Sequence, residues 1–228
     1  IPVYESSYAG VMRYCEFFKN ANSSSIFERQ EDKYLEYKAT FRKPWPRPPE
    51  AEKKNAQGQN LYKSGGKYFE SLNAIERSIE YSVLKTIVGF LNSEEGGRLI
   101  IGIHERGTIL TNVGIEFDGF SDEDEYARVL SAMIDRDIGS LTNPTPSSIF
   151  TTNHVNINFY SHGGVRMCVC EVSPYTWPEN GSPAYLARNY KKASAEEKEP
   201  RFFVRKPAST EELTQLQLTA FMADRRSK

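Results

Sequence analysis

The chain has 228 residues and a mass of 26.0 kDa, enough for one large domain or two small ones at about 150 residues per domain. Thirteen Phe and thirteen Tyr exclude global disorder, and 15 Gly with 12 Pro exclude a collagen-like or linker-like chain. A net charge of −1 gives no overall basic footprint, no apolar run approaches the roughly 18 residues of a membrane span, and the start IPVYESSYAG shows no secretory signal.

The three cysteines are Cys15, Cys168 and Cys170. An odd, low number argues against a disulfide framework and for a reducing, cytoplasmic setting. Cys168 and Cys170 share one face of a strand. Their spacing with His104, His154 and His162 matches no common zinc pattern, so they read as two core thiols.

In chain order, residues 1–30 form an aromatic-rich extension with weak patterning. The stretch 34–41 alternates, with Leu35, Tyr37, Ala39 and Phe41 on one face and Glu36, Lys38 and Thr40 on the other, which predicts a half-buried strand. Residues 43–67 hold four prolines within six residues and read as an extended, mobile basic insertion. Asn73 with Glu76 predicts a capped helix over 74–92, where Ile75, Ile79, Val83 and Ile87 recur every four residues. Gly96-Gly97 reads as its C-cap. The run 98–103 predicts a buried central strand, and 108–110 a partner across the turn at Arg106-Gly107.

A Ser cap and an acidic first turn predict a helix over 121–138. Residues 155–159 alternate, SHGG turns, and 165–172 returns as the second arm of a hairpin. Short strands are expected at 184–187 and 202–205, and a helix opening at Ser209-Thr-Glu-Glu runs towards Met222. The plan is α+β, with a mixed, mostly antiparallel sheet flanked by helices. The domain is expected over 31–212, with a helical tail over 213–228.

Charge is segregated along the chain. Seven basic and two acidic residues lie between Arg42 and Lys67, seven basic and three acidic between Arg188 and Lys206, and six acidic with no basic between Glu116 and Glu125. A neutral chain so arranged can present a positive face; solvated loops whose charges never meet are the plainer reading. Trp45, among the prolines, is equally a base-stacking platform or a mobile side chain.

No P-loop, GxSxG elbow, HExxH or CxxC motif is present. Carboxylates remain. Glu31 and Glu36 bracket the start of the first strand, and Glu105 follows the central one. Neighbouring strands would gather these three acids at a sheet edge, as hard oxygen ligands for Mg²⁺ or Mn²⁺. Surface strand ends also carry Glu without any such role, and Lys38 with Glu36 reads equally as a solvated pair.

The order of four motifs adds a resemblance. Glu31-Asp-Lys-Tyr-Leu-Glu36-Tyr-Lys38, the helix end Val88-Gly-Phe-Leu-Asn92, Gly96-Gly97-Arg-Leu-Ile-Ile-Gly102-Ile-His-Glu105, and Phe202-Phe-Val-Arg205 before Ala208-Ser-Thr210 together resemble the Schlafen core domain, an Alba-like family. Gly89 stands where the family usually has Ala, and Glu105 where it usually has Asp.

The resemblance implies a metal-dependent endoribonuclease acting on structured RNA such as tRNA, with Glu31, Glu36 and Glu105 holding Mg²⁺ or Mn²⁺ and Lys38 neutralising substrate charge. Arg42, Lys43, Arg47, Lys53, Lys54 and Arg205 are the candidate nucleic-acid contacts. The alternative is a non-catalytic DNA- or RNA-binding module of a larger regulatory or defence protein. A single lobe offers one wall of a groove, so a homodimer is the expected assembly, with no membrane association.

Overall fold

Strand β1 (Leu35–Lys38) runs parallel to β5 (Gly97–Ile101), and these four plus five residues set the frame for the site. The computed structural model describes residues 25–45, 53–54, 56–57, 60–64, 67–69, 75–179, 181–187, 200–207 and 209–226. Asn73 and Arg47 lie outside the described residues, as does most of the N-terminal extension.

The basic insertion carries three short antiparallel strands, β2 (Lys53–Lys54), β3 (Asn60–Ser64) and β4 (Lys67–Phe69). The expectation of a merely extended segment is therefore corrected: beyond the prolines, Tyr62, Tyr68 and Phe69 are aromatic residues that favour strands.

Helix α1 (Arg77–Leu91) follows, three residues shorter at its start than its apolar period predicts. Glu76 occupies the N-cap with no side-chain bond; its amide donates instead to Arg42 O at 2.8 Å. The C-cap is Asn92, not Gly96-Gly97. The glycine pair serves the next strand. Gly96 sits at φ 72°, and a Cβ there would run into the Val172 carbonyl. A Cβ on Gly97 would run into the Phe90 ring.

Beyond β5, Gly102 breaks the strand, and β6 (Ile103–Arg106) pairs with β7 (Ile109–Asn112) as a separate ribbon. A 3₁₀ turn (Ile115–Asp118) leads to helix α2 (Glu123–Asp137). Its cap is Asp122, one residue after the expected Ser121, accepting from the Glu125 amide at 2.7 Å. Strand β8 (Ile138–Gly139) and helix α3 (Ile149–Asn153) precede the hairpin β9 (Val155–His162) and β10 (Val165–Val172).

The chain closes with β11 (Tyr185–Leu186), β12 (Arg201–Lys206), β13 (Ser209–Glu212) and helix α4 (Gln215–Arg226). Ser209-Thr-Glu-Glu is thus a strand paired with β12 and not a helix start. Thr214 opens α4 instead, its hydroxyl and amide exchanging bonds with Gln217.

One sheet has the order β1-β5-β10-β9, another β13-β12-β11-β8. The first is buried on both faces, which explains the unbroken apolar run of β5. Leu99, Ile101, Cys168, Cys170 and Val172 face α1 and α2, in a core with Leu84, Ile87, Tyr126 and Leu130. Leu35, Tyr37, Ile100, Met167 and Val169 face the other way, onto Ile26 and Phe27. The two thiols are core residues, and burial pushes the Cys168 thiol up. No helix among the described residues is long and apolar enough to cross a membrane.

Asn92 ties the second sheet to α1. Its side-chain nitrogen donates to Ala184 O and Phe203 O, both at 2.9 Å, and its oxygen accepts from the Ala184 amide at 2.8 Å. Asn92→Ala would leave all three backbone groups buried without that partner. We expect it to cost about 3 kcal/mol of stability, read as a lowered urea midpoint at an unchanged slope. A loss within experimental error would show that the two sheets dock without this tie.

Candidate carboxylate site

The turn before β1 places Glu31. Asp32 accepts from the Tyr34 amide at 2.7 Å, an Asx turn, and its own amide donates to Leu35 O at 3.1 Å. The chain therefore doubles back, and Glu31 Oε1 accepts from the Tyr37 amide at 2.6 Å. Tyr37 is buried, its hydroxyl within 2.6 Å of Ile26 O and 2.8 Å of Arg29 O. A residue that reads from its period as one core side chain among others is thus the pin of the turn.

Glu36 is 9% exposed, so its pairing with Lys38 is not a solvated surface pair. Oε1 takes the Lys38 ammonium and Oε2 the Arg205 guanidinium. Burial alone would raise the Glu36 carboxyl; the Lys38 and Arg205 charges and hydrogen bonds outweigh it and hold the group below its usual range.

Glu31 moves the other way. Burial and the Glu36 charge outweigh the Tyr37 amide and Lys38, with Glu105 adding to the push, and its pKa is raised to about 7. Burial, with help from Glu105 and Glu31, also pushes the Tyr37 phenol up. Glu105 lies on β6, where Gly102 has turned the chain after donating to Lys38 O at 2.9 Å. The three acids thus share one electrostatic neighbourhood. Even so, no three His, Cys, Asp or Glu side chains among the described residues stand as a group able to hold a metal ion. Glu31 Oε2 accepts no hydrogen bond from the described residues.

The candidate contacts for nucleic acid divide. Arg205 is not a phosphate clamp, because its side chain has no exposed surface. Strand alternation signals this: Arg205 lies two after the buried Phe203, on the face that packs against α1. Arg42 is also committed, 3.4 Å from Glu80 and stacked on Phe41 and Phe120 at 5.3 and 5.0 Å. Arg201 pairs with Glu212 and Lys206 with Glu211, which reduces the positive charge expected of 188–206.

Trp45 packs edge-on to Phe117 at 4.9 Å rather than moving freely. Lys43 is half-buried at the root of the insertion. That root is fixed by Asp118, which accepts from the amides of Phe41, Arg42 and Lys43 at 2.8, 3.0 and 3.1 Å. Lys53 and Lys54 lie on β2 with side chains outside the described residues.

Comparison with known proteins follows the same outline. Residues 31–214 match the model of the "Schlafen, AlbA_2" family. None of the curated proteins matches the chain. Among solved structures, the DIP2311 protein of Corynebacterium diphtheriae is 12% identical with a TM-score of 0.44. That likeness covers 92% of this chain and 28% of DIP2311, so the chain spans less than a third of its length. The N-terminal domain of an ATP-dependent DNA helicase RecG-related protein of Nitrosomonas europaea is 18% identical with a TM-score of 0.38, covering 61% of this chain and 78% of that domain.

The raised Glu31 pKa has a measurable sign. In the unfolded chain this carboxyl titrates near 4.5; in the fold, near 7. Between those values the folded state holds the extra proton, so this group's contribution to stability falls as pH rises through that window. Glu31→Gln removes the dependence while keeping an acceptor for the Tyr37 amide. Its melting temperature should gain on wild type at pH 8 relative to pH 5. An equal or opposite difference, read by circular dichroism at both values, would contradict the crowding described here.

Proposed function

The chain belongs to the Schlafen, AlbA_2 family, and on that premise we propose that it acts on nucleic acid, cutting structured RNA such as tRNA at the carboxylate site in a reaction that needs Mg²⁺ or Mn²⁺. One observation carries the reading: the fold brings Glu31, Glu36 and Glu105 into one neighbourhood, where burial first and then the Glu36 and Glu105 charges raise Glu31 to about 7. A divalent cation relieves that repulsion, and carboxylate oxygens are its natural ligands.

Glu31 and Glu105 offer oxygens, and Glu36 brings a charge already held ionised by its two cations. Lys38 keeps a fifth of its side chain exposed. Its ammonium, paired with Glu36, would neutralise charge on a bound phosphate. Mg²⁺ or Mn²⁺ held by Glu31 and Glu105 would supply an activated water and stabilise charge on the phosphodiester.

The second reading is a binding module for RNA or DNA without catalysis. It is favoured by Glu36, whose two oxygens are both engaged by Lys38 and Arg205.

Folded tRNA incubated with the protein separates the two. Cleavage should require Mg²⁺ or Mn²⁺ and stop with EDTA. Glu31→Gln, Glu36→Gln and Glu105→Gln should each lower the rate about a hundredfold or more, with RNA binding retained. Binding without cleavage across metals would leave the module reading in its place.

Substrate affinity is assigned to the insertion. Replacing Arg47, Lys53 and Lys54 with Ala should weaken binding to all sequences alike. Each lost phosphate contact should remove about 0.9 from the log–log salt slope on duplex DNA, less on single strands. An unchanged slope would make the insertion irrelevant to binding.

A further inference from the structure

Arg205 presents both terminal guanidinium nitrogens to the turn that carries the acids, while its Nε is buried without a hydrogen bond. One terminal nitrogen meets Glu36 Oε2 and stands 3.3 Å from Thr210 Oγ1. The other donates to Asp32 O at 2.6 Å and Leu35 O at 3.1 Å. Its guanidinium carbon lies over the Phe90 ring, 5.3 Å from the centroid. Asp32 and Leu35 are bridged to each other between Glu31 and Glu36, so one side chain grips both the backbone of the turn and the second acid.

We propose that Arg205 is the positioning residue of the carboxylate site, locking the 31–36 turn so that Glu31 and Glu36 arrive side by side. The proposal rests on the carboxylate site as read above, but its central readout does not require that site to cut RNA. Arg205 and Thr210 belong to β12 and β13, so the C-terminal ribbon completes the site. Contact with substrate is not its role. Lysine cannot substitute: an ammonium is a point charge, unable to span a carboxylate and two carbonyls in one plane.

The test is Arg205→Lys, which keeps the charge and most of the volume, read residue by residue by amide hydrogen exchange. The amides of Tyr34 and Tyr37, which donate to the Asp32 and Glu31 carboxylates, should exchange about tenfold faster or more, while those of the β9–β10 hairpin stay within about twofold of wild type. RNA affinity should be unchanged and cleavage slowed, the signature of a positioning group.

Uniform acceleration across the hairpin would reduce Arg205 to general stability and overturn the proposal. Unchanged exchange with weaker RNA binding and a shallower salt slope would make it a phosphate contact, and also overturn it. If wild type leaves RNA intact, the nuclease reading fails alone, and the exchange pattern still decides the role of Arg205. If Arg205→Lys does not fold, Glu36→Gln breaks the same pair without emptying the core. It must accelerate the same two amides selectively, or the proposal falls.

Discussion

A guanidinium shut away from water is the constraint around which this domain is arranged. Dehydrating Arg205 and Glu36 costs several kcal/mol per ion, recovered only when geometry and extra hydrogen bonds satisfy both groups. Here a carboxylate, two carbonyls, a threonine hydroxyl and an aromatic face surround one side chain and satisfy its two terminal nitrogens, while Nε stays buried without a hydrogen bond. The partners come from the turn before β1, from β1 itself, from α1 and from β13. The members of the pair stand 169 positions apart in the chain, so it forms only when the N-terminal strand, the long helix and the closing ribbon are all in place.

The same device recurs with neutral and acidic residues. Irregular segments carry backbone groups that no ladder satisfies, and burying them demands a partner. Asn92 supplies three such bonds where β11 and β12 meet α1, and its own carbonyl accepts from Arg225 of α4 at 2.8 Å. Asp118 collects three successive amides and stands 3.3 Å from the Tyr126 hydroxyl. Burial raises its carboxyl despite those bonds. Each of these residues is short, polar and buried, and each joins segments far apart in the chain.

This explains what the sequence disclosed and what it withheld. Period and turn chemistry are local, so α1, α2, the β9–β10 hairpin and the buried run of β5 were legible within a few residues. The strand at Ser209–Glu212 was not, because its Ser-Thr-Glu-Glu pattern is also that of a helix start, and only pairing with β12 decides between them. Glu31, Glu36 and Glu105 could be nominated from strand ends and motif order. Their environments could not, since the depressed Glu36 and elevated Glu31 depend on an arginine over 160 residues away and on the depth of the fold. Arg205 was open to a better reading: alternation with Phe203 points it inward.

Acids crowded at one place repel the phosphates that a nuclease must bring to them, so attraction has to come from elsewhere on the same rigid body. The described cations nearest in kind are spent: Arg42, Arg201, Arg205 and Lys206 all answer carboxylates of the fold. Under the proposed function the insertion supplies that attraction, and its root lies close by in the chain. Lys38 ends β1, and the root held by Asp118 begins at Phe41. From Glu36 to Lys43 is seven residues, at most about 25 Å of fully extended chain, and Asp118 fixes the direction in which that root leaves. Under the proposed function, a nucleic acid held near that root would lie within a few nucleotides of the acids. Under this arrangement grip and chemistry are separable by mutation, because no residue needed to anchor the insertion is also one of the three carboxylates.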